Sequence, residues 1–112
     1  QSRHVRFVAG DAAEMIKRIL RKEKIDLLVT DPPRTGLDQK MLECLVKSDI
    51  PEMIYVSCNP STLAKDLSYL QQRYQIQSIQ GYDMFPNTPL IETVVYLCRE
   101  NRFMVRNVEE KE

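Results

Sequence analysis

Four side chains of this sequence stand out as able to do chemistry: Cys58, Glu92, Asp31 and Asp11. Cys58 closes the apolar run Met53, Ile54, Tyr55, Val56, broken only by Ser57, and is followed by Asn59 and Pro60. The run reads as a short buried strand, and asparagine before proline reads as an N-cap and first helical residue, where proline's missing N–H is no loss. Cys58 is therefore expected on a strand-to-helix turn. In an open α/β sheet the carboxyl ends of parallel strands face the ligand crevice, so a thiol there points toward substrate. The positive end of the helix from Pro60 favours the thiolate, the reactive form, which makes Cys58 the candidate nucleophile.

The elements around these residues must position them. Residues 5–9 read as a strand ended by Gly10 and Asp11. Asp11 with Glu14 has capping-box spacing, and Ala12, Ile16, Ile19 and Leu20 share one helical face. Lys17, Arg18, Arg21 and Lys22 fall largely on the other faces and read as a solvated surface, with a phosphate site as the alternative. Residues 25–30 form the next strand, apolar except for Asp26, as expected of a central parallel strand covered on both sides. A rigid loop follows, in which Pro32 and Pro33 cannot continue a sheet ladder. A helix over 38–47 is expected to bury Met41, Leu42, Leu45 and Val46, with Cys44 as a packing residue. The strand 53–56 leads into a helix from Pro60 to about Tyr74, burying Leu63, Ala64, Leu67 and Leu70, with Tyr69 and Tyr74 at its edges. From Ile76 the pattern changes. Residues 76–82 and 93–99 read as strands with no helix between them, only a loop with Pro86 and Pro89, so the last strand should run antiparallel. Cys98 is expected in the core, 103–108 as a short edge strand, and 109–112 as a frayed tail.

This order predicts an α/β fold whose sheet is mostly parallel and finishes on an antiparallel strand. Asp11, Asp31 and Cys58 then follow the carboxyl ends of successive parallel strands. Glu92, ahead of Val94, Val95, Tyr96 and Leu97, starts the reversed strand at that same edge. A thiol and a carboxylate distant in sequence thereby share one crevice. Each residue also has a plainer reading: Asp11 as a helix cap, Asp31 as a turn former, Cys58 as a buried thiol, Glu92 as a strand-end charge.

Composition narrows the class without naming a partner. A chain of 112 residues, 43% apolar and 29% charged, suits one globular domain and excludes a disordered or fibrous one. Lys and Arg equal Asp and Glu at 16 each, so net charge argues neither for nor against a local nucleic-acid patch. Cysteines at 44, 58 and 98 form no close metal-ligand pattern, and an odd number suits a reducing cytoplasm better than a disulfide framework. No signal peptide or membrane span is read, so a cytoplasmic protein with no metal in this segment is expected.

Three segments carry a resemblance: DPPRTG at 31–36, VSCNPSTLAKD at 56–66 and DMFPNTPLIETVVYL at 83–97. In this order and approximate spacing they resemble the C-terminal part of the RNA uracil-5 methyltransferases, S-adenosylmethionine-dependent enzymes with a Rossmann-like sheet that act on transfer or ribosomal RNA. The resemblance implies that Cys58 attacks C6 of a uracil, that C5 then takes a methyl group, and that Glu92 removes the C5 proton. It also implies that Asp31 contacts the cofactor near the reaction centre and that Asp11 approaches its adenine. The target would be an unstacked uridine in a structured RNA loop. The family's usual histidines are replaced near Asn87 and Leu90. With three glycines and no glycine-rich turn after the first strand, residues 1–112 are expected to be the C-terminal portion of a class I methyltransferase domain whose N-terminal strands are missing. Such a piece should bind the cofactor weakly or not at all. Two other readings stay open: an amine-directed methyltransferase using 31–34, and a non-catalytic binding module derived from such an enzyme.

Overall fold

The structure, a computed structural model, describes residues 4–9, 12–83 and 91–99. Three strand–helix pairs come first: β1 (Val5–Ala9), α1 (Ala13–Lys22), β2 (Leu27–Asp31), α2 (Gln39–Lys47), β3 (Glu52–Ser57) and α3 (Pro60–Leu70). The strands β4 (Tyr74–Asp83) and β5 (Ile91–Arg99) complete one five-stranded sheet in the order β1-β2-β3-β5-β4. β1, β2 and β3 are parallel, and β5 runs antiparallel to both β3 and β4. The expected α/β sheet with a reversed final strand is what forms. The reversed strand is inserted between its neighbours rather than added at the edge.

Alternation along the strands separates two faces. On one, Val8, Leu28, Thr30, Met53, Tyr55, Ser57, Val95 and Leu97 are all buried. Right-handed crossovers from β1 to β2, β2 to β3 and β3 to β4 all advance the same way across the sheet, which puts every helix on that face. Ile16, Met41, Leu45 and Leu70 meet it there, each wholly buried and each worth roughly 1.5–3 kcal/mol of transfer free energy. On the other face Val5 and Phe7 are exposed, while Leu27, Val29, Ile54, Val56, Val94 and Tyr96 are half-buried. Residues 25–30 were expected to be covered on both sides; among the described residues, the shared direction of the crossovers leaves β2 covered on one.

Several local expectations are corrected by tertiary contacts. α3 stops at Leu70, and Tyr74 opens β4 instead of ending a helix. Its ring is buried and its hydroxyl donates to the Ile50 carbonyl at 2.7 Å, a long-range partner that outweighs helix continuation. Ala64 is exposed and Asp66 takes the inward position instead, because Leu63, Asp66, Leu67 and Leu70 are the positions that share a stripe at helical spacing. Cys98 is half-buried on the uncovered face, whereas Cys44 is buried as expected. The N-cap position of α1 falls on Ala12. Asp11 itself, the loop with Pro86, Asn87, Pro89 and Leu90, and residues 103–112 lie outside the described residues. No described helix is long and apolar enough to cross a membrane, and the described residues gather no metal-binding group of His, Cys, Asp or Glu.

Candidate active site

The turn carrying Cys58 is built from its neighbours' polar groups. Ser57 Oγ donates to the Asn59 carbonyl and accepts from the Asn59 N–H, each at 3.0 Å, which closes the chain tightly after β3. Asn59 Oδ1 then accepts from the Ser61 N–H at 3.1 Å as the N-cap of α3, with Pro60 at the first helical position as predicted. Cys58, at the apex, is exposed.

The loop that follows β2 is fastened to this same helix. A turn closed by the Gly36 N–H on the Pro33 carbonyl, at 2.8 Å, presents the Arg34 carbonyl to Asn59 Nδ2 at 2.8 Å and to Thr62 Oγ1 at 3.0 Å. Asn59 thus caps α3 with one side-chain atom and grips the loop with the other. Asn59→Ala removes both bonds, and the expected loss is about 1–2 kcal/mol of stability, read as a lower denaturation midpoint. Asp31 ends β2 as an exposed carboxylate, and Arg34 is exposed in the loop.

Glu92 reaches this rim by register. Ser57 pairs with Thr93, so the next positions outward on the two antiparallel chains are Cys58 and Glu92. The ladder ends at Ser57 and Thr93, so Cys58 and Glu92 each lie one residue beyond it at the same rim. Glu92 is half-buried, and Tyr82 of β4 is its partner on the other side. Asp31 stands at the same rim on the carboxyl end of β2, and by alternation Asp31, Val56 and Val94 share the face to which Glu92 belongs. Strand direction and register put Cys58, Glu92 and Asp31 at one rim of the sheet; Asp11 is outside the described residues.

The family model described as tRNA (uracil-5-)-methyltransferase matches residues 13–100. The chain belongs to that family. An uncharacterized RNA methyltransferase of Clostridium tetani is 49% identical over 96 residues, covering 85% of this chain and 21% of that protein. One from Bacillus cereus is 40% identical over 98 residues, covering 87% and 21% respectively. The crystal structure of Pyrococcus abyssi tRNA (uracil-54, C5)-methyltransferase in complex with S-adenosyl-L-homocysteine superposes with a TM-score of 0.67 at 26% identity, over 87% of this chain and 34% of that one. The chain spans about a fifth of the length of the curated relatives it matches.

In this family member, two clefts differ in what they adjoin. One of about 340 Å³ lies at the rim just described, lined by Ala9, Ala12, Ala13 and Met15 with Glu14, Asp38 and Lys40. Its small apolar wall with polar flanks suits a nucleoside-sized group. A larger one of about 570 Å³ lies at the opposite rim, among the carboxyl ends of α1 and α2, away from the candidate residues. Sequence reasoning missed Asp66. It is wholly buried, yet it lies within the VSCNPSTLAKD segment, and an acidic residue on the apolar stripe of α3 was the available signal.

Proposed function

We propose that the complete protein methylates C5 of a uridine in structured ribosomal or transfer RNA, with Cys58 as nucleophile and Glu92 as base. In this reading residues 1–112 are the C-terminal portion of a class I methyltransferase domain that works in the cytoplasm. The observation that supports it is the pairing of Ser57 with Thr93, which leaves Cys58 and Glu92 each one residue beyond the ladder at one sheet edge.

C5 of uracil is a poor nucleophile until a thiolate adds at C6. The Cys58 sulfur bonds to C6 while the C5–C6 π pair moves toward O4, and that pair then forms the new bond at C5. S-adenosylmethionine, when bound, supplies the methyl group and leaves as S-adenosylhomocysteine. Glu92 takes the C5 proton; the freed pair restores the C5–C6 double bond as the C6–S bond breaks and the thiolate returns. In this reading the 340 Å³ cleft at the same rim would take the cofactor's nucleoside part, and the exposed Asp31 its polar part. The uridine must leave its stack to enter a site at the sheet edge, which suits a loop in folded RNA.

The test is to offer the complete protein RNA carrying 5-fluorouridine, with cofactor. Fluorine at C5 cannot leave as a proton, so the adduct should persist as a protein–RNA band on a denaturing gel and be absent from Cys58→Ala. Methylation without any such adduct, or methylation that survives Cys58→Ala, would point to the amine-directed chemistry of the exposed loop 31–34 and overturn the proposal.

A further inference from the structure

We infer that Asp66 is a positioning residue, the clamp that holds the loop following Asp31 against the helix that follows Cys58 and so sets the methyl donor's side of the site against the nucleophile. The inference rests on the proposed function and adds to it a residue that touches neither substrate nor cofactor. Asp66 has no exposed surface. A carboxylate there is costly unless its lone pairs are used, and a well-packed leucine would fill the same helix–sheet gap without that desolvation. What a leucine cannot do is grip a chosen amide. Asp66 Oδ2 accepts from the Leu37 backbone N–H at 2.8 Å and from the Tyr55 hydroxyl, joining the loop after β2, strand β3 and helix α3 at one atom. Burial first, and then the Asp66 carboxylate itself, push the Tyr55 phenol upward, so it stays a donor. Lys65 Nζ stands 3.0 Å from Oδ1 without hydrogen-bond alignment and donates to the Leu37 carbonyl at 3.1 Å, a second tie to the same loop residue.

Gly36 shows how close the fit is. It sits at φ +83°, and a Cβ there would stand 2.9 Å from Asp66 Oδ2 and 3.0 Å from the Thr62 Cβ. The loop backbone therefore lies directly on α3, with room for no side chain. Cys58, by contrast, is held by the bonds that Ser57 and Asn59 make at its own turn. Removing Asp66 should thus shift the loop and leave the thiol in place.

Two rates separate these consequences in the complete protein: methyl transfer at saturating cofactor, and release of tritium from C5 of labelled uridine in RNA without cofactor. The second needs thiolate addition at C6 but no methyl donor. Asp66→Ala is expected to slow methyl transfer on the order of 10²-fold, the scale of an ångström-sized misplacement, while tritium release stays near wild type. Asp66→Asn, whose amide oxygen can take the place of Oδ2, should recover most of the lost rate. If Asp66→Ala does not yield folded protein, Gly36→Ala presses on the same contact and should show the same split. Equal loss of both rates, no loss of methyl transfer, or failure of asparagine to rescue overturns the inference. Absence of Cys58-dependent tritium release from the wild-type protein would instead overturn the proposed function beneath it.

Discussion

Cys58→Ala is expected to abolish methyl transfer, by on the order of 10⁵–10⁶-fold, the scale at which losing the nucleophile removes a covalent mechanism altogether. Its cause is chemical rather than structural. The thiol is exposed at the apex of a turn whose hydrogen bonds are made by Ser57 and Asn59, so its removal leaves neither a cavity nor an unpaired polar group. The folded protein should keep its thermal midpoint and its RNA affinity while losing both product and the 5-fluorouridine adduct. A variant that still methylates at a tenth of the wild-type rate would remove the covalent step from the mechanism.

Glu92→Gln should fail at the other end of the reaction. Without a base at C5, methyl transfer proceeds once per site and the proton remains, so a methylated covalent protein–RNA species should accumulate on ordinary uridine RNA. Turnover is expected to fall about 10²–10⁴-fold, the usual contribution of a positioned general base. Mass analysis of the trapped species checks it: a peptide containing Cys58 should carry one uridine and one added methyl group. Loss of turnover with no trapped species would mean that Glu92 acts before methyl transfer, for instance in substrate binding. The two variants thus test separately the proposed roles of the sulfur in opening the reaction and of the carboxylate in closing it.

Much of this architecture was legible along the chain. The Asn59–Pro60 start of α3 depends on adjacent residues, and the reversal of the last strand shows in the lack of a helical segment between 82 and 93. The stop of α3 was not. Residues 71–74 continue a helical pattern tolerably well, and only the pocket for the Tyr74 hydroxyl, at the Ile50 carbonyl, shows why the chain turns into β4 instead. Asp66 was missed for a related reason. On a helical wheel an acidic residue is assigned to solvent, and its partners Leu37 and Tyr55 lie on other elements.

The sequence by itself determined the order and type of the elements, the reversed direction of the final strand and the candidate residues that follow strand ends, though not where α3 stops. These are local matters, settled by side-chain periodicity, prolines and capping groups acting over one or two turns. Only the tertiary structure decided that β5 lies between β3 and β4, that Ser57 meets Thr93 so that Cys58 and Glu92 come next at one rim, and that Asp66 is sealed beneath the loop 31–36. Register and burial depend on which faces meet across the sheet, and contacts between residues tens of positions apart leave no trace in the local pattern of either segment.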